Sequence, residues 1–307
     1  MDWFSASTIA ELLPYVTGSL IAGAILGVLG GVIGPMIQAR DLAFAVHGAS
    51  ELSFAGGAAA LFLFGTGAGA GAGARATGTL VATGSIVGSV IAAVLFGLLG
   101  LRARDRNSAI GVILPFGLGL GVLFLALYPG RSANKFGLLI GQIVAVDQTQ
   151  LWLLVAVAAV VLIALAAIWR PLFFASVDPE VAAARGVPVR FLGPAFMLLL
   201  GLTVAMAVQI VGALLVLSLL ITPTAAAARV TVSPLKVSLL SVLFAVVSAV
   251  GGIILSLTPK LPISPCVTTV SFVIYLVCRL VGTAKTRRGW YRRGNAGLTP
   301  TTEPQEA

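Results

Sequence analysis

The chain has 307 residues, of which 59% are hydrophobic and only 9% charged, and its mean hydropathy is +1.08. Soluble domains carry about 25% charged residues, so a water-soluble globule is excluded, as are a disordered chain and, with two cysteines, a disulfide scaffold. Unbroken apolar runs such as Leu151–Ile168 exclude an outer-membrane barrel, whose segments alternate over ~10 residues. What remains is an all-α, polytopic helical membrane protein with room for roughly eight to ten spans at ~20 residues per crossing.

Taken in chain order, the apolar runs predict nine transmembrane helices. They are Tyr15–Ile37, Leu42–Thr66, Ala76–Leu101, Ala109–Tyr128, Leu151–Trp169, Phe191–Val208, Val211–Ala228, Leu235–Leu257 and Cys266–Val281. Only Gln209 and Ile210 separate the sixth from the seventh, so a single long broken helix is an alternative there. Phe136–Val146 is too short to span and reads as an interfacial or re-entrant segment. Residues 1–282 form one membrane domain, and 283–307 form a basic, then polar tail expected to be disordered. The start, Met1-Asp2-Trp3-Phe4, lacks the basic region of a cleavable signal peptide. Cys266 and Cys278 read as structural thiols.

The net charge of +9 invites a nucleic-acid reading, but its distribution points to topology. With the N-terminus outside, Arg40, Arg102, Arg104, Arg106, Arg170, Arg185, Arg190, Arg229 and Lys236 fall on cytoplasmic segments, and Arg279 leads into a basic tail. Only Arg75, Arg131, Lys135 and Lys260 face outward. That asymmetry is the positive-inside pattern and places the C-terminus in the cytoplasm. The Gly-Ala run from Gly67 to Ala74 lies in an outside loop and reads as a flexible linker, since no Gly-x4-Gly-Lys-Ser/Thr phosphate loop occurs. Small residues at Ser19, Gly23, Gly27 and Gly31 recur at a spacing that lets helices approach closely.

Nine of the ten acidic residues fit in loops or at span ends. Glu51 does not: it lies inside the second span, and the only histidine, His47, precedes it by one helical turn. An ionisable side chain near mid-bilayer costs ~2.5–3.5 kcal/mol on insertion scales and is a functional candidate by default. Residues four apart share a helix face, so imidazole and carboxylate here could chelate one divalent cation, with Gly48, Ala49, Ser50 and Ser53 leaving room for it. The alternative is a pair that hydrogen-bonds to itself. Imidazole and carboxylate together admit zinc, iron, nickel and manganese, and two ligands fall short of a closed structural zinc site. An intramembrane zinc protease would need His-Glu-x-x-His, and this chain has one histidine.

The loop after the fifth span contains a preformed short helix. Ser176 or Asp178 can cap it, Pro179 suits its first position, Glu180 suits its positive end and Gly186 stops it. It reads either as a connector on the membrane surface or as a docking knob for a cytosolic partner.

Here the sequence resembles a known family. Ser176-Val-Asp-Pro-Glu-Val-Ala-Ala-Ala-Arg-Gly-Val-Pro-Val resembles the coupling-helix segment of the zinc/manganese-type permeases of bacterial ABC importers. Three further stretches resemble that family in order: those beginning Asn107-Ser-Ala-Ile-Gly-Val, Phe136-Gly-Leu-Leu-Ile-Gly and Val211-Gly-Ala-Leu-Leu-Val, the last ending Pro223-Thr-Ala-Ala-Ala-Ala-Arg229. Two departures stand out. The family's Asp-Ala-Leu-Ser-His-x-x-Leu-Pro-Gly places aspartate where His47 stands, histidine where Glu51 stands and proline where Ala55 stands; its Pro-Ser/Thr-Gly-Pro is here Pro262-Ile-Ser-Pro265.

The resemblance implies a permease in the bacterial cytoplasmic membrane, moving zinc or manganese inward as a transport subunit and not an enzyme. It implies a separate cytosolic ATPase docking at Asp178, Pro179, Glu180 and Gly186, an outside metal-binding protein, and a second permease copy. No permanently bound cofactor and no nucleic-acid partner are expected. Alternatives are a permease for iron-chelate or other cargo, an intramembrane enzyme using His47 and Glu51 as acid and base, and a secondary antiporter.

Overall fold

The computed structural model describes residues 6–65, 74–99, 103–129, 146–257 and 263–296, and among them every regular element is helical. The order is α1 (Ala6–Ala39), α2 (Ala43–Gly65), α3 (Ala74–Leu99), α4 (Ala103–Leu127), α5 (Gln148–Val177), α6 (Pro179–Ala184) and α7 (Val189–Val211). A 3₁₀ turn at Ala213–Leu215 follows, then α8 (Val216–Leu220), α9 (Thr222–Val230), α10 (Pro234–Leu257) and α11 (Ile263–Ala296). Residues 67–73 of the Gly-Ala run and 136–145 of the expected short outer segment lie outside the described residues.

Among the described residues eight helices are long and apolar enough to cross a membrane, and the seventh predicted span is the exception. Val211–Ala228 is not one helix but a 3₁₀ turn and two short helices. Gly212, at φ +88°, ends α7. Pro223, near the start of α9, lacks the N–H that would carry α8 onward, and its ring opposes a continuous helix. The broken run nevertheless traverses the same depth as a span. Ser264 donates to the Val211 carbonyl and Ser271 to the Ser218 carbonyl, both at an offset of 53 residues, and Gly282 lies against the Arg229 carbonyl at that same offset. It therefore runs parallel to α11 and in register with it over the full crossing.

The close contacts sort the helix ends onto two faces. On α1, Gly23, Gly27 and Gly31 meet Ala249, Val246 and Val242 of α10 in reverse order. A Cβ at Gly27 would sit 2.9 Å from the Val246 backbone, so small residues set this antiparallel seam. Gly18 near the start of α1 lies against Val146, just before α5, whereas Arg40 just past its end bonds Ser176 near the end of α5. The starts of α1, α3, α5 and α11 thus share one face. The α1–α2 turn, α6, the α9–α10 turn and the end of the α11 span share the other. Among the described residues every lysine and arginine lies towards this second face except Arg75.

Four boundaries differ most from expectation, two of them being the starts of α1 at Ala6 and of α4 at Ala103 in place of Tyr15 and Ala109. α5 passes through Pro171 to Val177 instead of stopping at Trp169, because a polar Arg170 at the membrane edge need not end a helix. α11 is helical from Ile263 to Ala296, past the expected span end at Val281; an established helix propagates readily through arginine and lysine. Residues 297–307 lie outside the described set.

Candidate metal site

The site begins with how α2 is launched. α1 ends in a turn in which the Leu42 N–H donates to the Ile37 carbonyl (2.9 Å) and the Asp41 N–H to the Gln38 carbonyl (3.3 Å). This is the paired capping pattern that needs a left-handed residue, and Asp41 supplies it at φ +52°. Aspartate tolerates that region better than most side chains. The tight turn starts α2 at Ala43, which puts Glu51 ~12 Å along the helix from its start at ~1.5 Å per residue, in a helix long enough to cross a ~30 Å hydrocarbon core.

His47 Nδ1 and Glu51 Oε1 are 3.9 Å apart, too far for a hydrogen bond. His47 Nδ1 and Glu51 Oε2 are buried without a hydrogen-bond partner. The self-bonded pair is therefore not formed. Two ligand bonds of ~2.0–2.2 Å to one ion reach across such a gap, so the donors present fit a divalent transition metal. The Glu51 side chain is 2% exposed, while that of His47 is 27% exposed, although the His47 Nδ1 that faces Glu51 is itself buried.

The surroundings are made by small residues, though not all those expected. A Cβ at Gly48 would sit 2.8 Å from the Phe96 ring of α3, and one at Gly117 of α4 would sit 3.3 Å from Glu51. Those two glycines let α3 and α4 close over α2. Ser50 donates to the His47 carbonyl (2.7 Å) and Ser53 to the Ser85 carbonyl (3.1 Å), so both hydroxyls are engaged with backbone. Among the described residues no group of three or more His, Cys, Asp or Glu is assembled.

The second expected feature lies on the basic face. In α6 the Asp178 carboxylate accepts from the Val181 N–H (3.0 Å), Pro179 occupies the first turn and Glu180 sits at the positive end. Gly186, at φ +82°, closes the helix, the Gly186 N–H donating to Ala183 and the Val187 N–H to Ala182. Ala182 is buried as the anchor, while Pro179, Glu180, Val181, Ala183 and Ala184 are exposed. α6 is a preformed knob. Ser176 is not its cap: it donates to the Leu172 carbonyl and accepts from Arg40 Nε at 2.7 Å. Sequence reading took Arg40 for a topological charge only. Its reach to residues 136 positions away leaves no local signal.

The family profile described as the ABC 3 transport family matches residues 13–282. The chain belongs to that family. As an ABC 3 member it is a multi-pass membrane subunit of an ATP-binding-cassette transporter, a transport component and not an enzyme. It is 31% identical over 244 residues to the manganese transport system membrane protein MntC of Halalkalibacterium halodurans, covering 79% of this chain and 78% of that relative. It is 28% identical to the high-affinity zinc uptake system membrane protein ZnuB of Buchnera aphidicola, over 64% of this chain and 75% of that relative. Its fold is similar to a chain in the solved structure of PsaBC from Streptococcus pneumoniae in complex with Fab, with a TM-score of 0.75 and 24% identity, covering 89% of this chain and 95% of that one.

Proposed function

We propose that this ABC 3 permease carries a divalent transition metal, manganese or zinc, into the cytoplasm, and that the ion passes between His47 and Glu51. The observation that carries the reading is the pair of orphaned donors one helical turn apart inside the bilayer, in a family whose relatives include proteins named for manganese and zinc transport. An incomplete ligand set suits transit, since a fully caged ion does not leave. Water, or the same two residues of a second permease copy, completes the coordination.

The basic face is the cytoplasmic one by the positive-inside bias, which puts the N-terminus outside and the C-terminus inside. α6 then projects into the cytoplasm, where Asp178, Pro179, Glu180 and Gly186 shape the surface on which a separate ATPase docks. An outside metal-binding protein delivers the ion to the opposite face. ATP-driven movement of the docked ATPases alternates access past His47 and Glu51.

The test is uptake by vesicles containing the permease and its ATPase, with manganese, zinc and iron offered separately. ATP-dependent accumulation of manganese or zinc is expected. Because binding requires neutral imidazole and ionised carboxylate, uptake weakens as pH falls. Uptake driven by a proton gradient without ATP, or indifferent to acidification, overturns the reading.

A further inference from the structure

The α6 knob and the His47–Glu51 pair lie on different helices that do not pack together: α6 rests on α5 and α7, whereas α2 rests chiefly on α3, α4 and α7. One side chain gathers the pieces. Arg40 Nε donates to Ser176 Oγ at 2.7 Å, two residues before the Asp178 cap of α6. Ser176 Oγ in turn donates to the Leu172 carbonyl at 2.6 Å, which holds the acceptor in place on α5. The Arg40 guanidinium carbon also stands 5.6 Å from the ring centroid of Phe196, on α7, within cation–π range. Both arms of the coupling loop, α5 before α6 and α7 after it, thus converge on one cation. That cation sits in the α1–α2 turn, where the left-handed Asp41 fixes how α2 leaves α1.

We propose that Arg40 is a positioning residue that passes displacement of α6 to α2, and so to His47 and Glu51; the proposal rests on the permease reading above. A rigid turn moves with whatever grips it. When the docked ATPases shift α6, the Ser176 and Phe196 grips carry Arg40, and the capped turn rotates the first two turns of α2. The guanidinium suits this role because its planar, permanently charged fork bonds a hydroxyl at one edge and stacks on an aromatic face. A lysine ammonium, compact and strongly hydrated, lacks that planar fork.

The experiment uses the full permease–ATPase complex with its binding protein in vesicles, with manganese chloride and zinc chloride as probes. Ions moved per ATP hydrolysed are measured beside basal hydrolysis and equilibrium manganese binding. Arg40→Ala is expected to lower ions moved per ATP at least ~5-fold, with basal hydrolysis, assembly and manganese binding retained. Ser176→Ala moves the ratio in the same direction by less, and the double variant is no worse than Arg40→Ala, as expected for groups acting as one unit. Arg40→Lys restores the ratio only partly. An unchanged ratio in Arg40→Ala overturns the proposal, as does a fall matched by equal losses of metal binding and thermal stability, which would mark a structural role. Should Arg40→Ala fail to assemble, Ser176→Ala decides, and an unaltered ratio there overturns it. A wild-type complex that moves neither ion overturns the permease reading itself, and the Arg40 role with it.

Discussion

The turn that launches α2 and the turn that closes α6 lie on the same basic face and use the same pair of reversed hydrogen bonds. Leu42 and Asp41 donate back to Ile37 and Gln38; Val187 and Gly186 donate back to Ala182 and Ala183. Each needs one left-handed residue, Gly186 at φ +82° in one and Asp41 at φ +52° in the other. The difference is what each turn serves. The first aims a buried acid into the bilayer, where leaving a charged group unpartnered is costly. The second holds an exposed six-residue knob whose worth lies in its shape. The same backbone solution therefore launches a buried helix at one end and closes an exposed short helix at the other, and substitutions at the two ends should fail differently.

The largest effect is expected at the chemistry. Glu51→Gln keeps size and removes the anionic ligand, so metal uptake should fall by more than the ~10–100-fold that outer-sphere partners of a metal cost. Assembly with the ATPase and basal hydrolysis should persist. Wild-type uptake in that variant would remove the site.

An intermediate effect is expected at the knob. Gly186→Ala forces a Cβ into the left-handed region at a cost of ~1–2 kcal/mol, a factor of about 5–30 in any equilibrium that depends on this turn. Affinity of the permease for its ATPase, measured by titration in detergent, should fall within that range while manganese binding is untouched. Replacing Glu180 by lysine, on the exposed surface beside it, should weaken the same association; intact affinity in both variants would break the docking role.

The smallest effect is expected at Asp41. Asp41→Gly relieves the left-handed cost but gives the unfolded chain more freedom, and the two terms leave a net change below ~1 kcal/mol. Thermal unfolding of the purified protein should register little or no shift. A large loss would mean the carboxylate, and not the backbone conformation, sustains the turn, and the likeness of the two turns would be superficial.

The parts legible in the sequence are those that local physics decides. Eight apolar runs of spanning length became eight helices because the bilayer leaves backbone polar groups no partner except their own helix. Spacing alone put His47 and Glu51 on one turn, and Asp178, Pro179 and Gly186 bracketed α6 because capping chemistry extends only a few residues. Among the described residues the lysines and arginines gather towards one face, Arg75 excepted. Less legible was Val211–Ala228, where hydropathy reads one span while Gly212 and Pro223 break it, and only its packing in register with α11 carries the run across.

Other features were decided by tertiary structure alone. That Glu51 is enclosed depends on how α3 and α4 close over α2 through Gly48 and Gly117. That Arg40 grips α5 and α7 depends on three helix ends meeting at one face. Composition and spacing determine which residues are ionisable and which share a helix face, because those are properties of the chain over one or two turns. Which of them meet across more than a hundred residues is set by how the helices pack, and no local pattern encodes it.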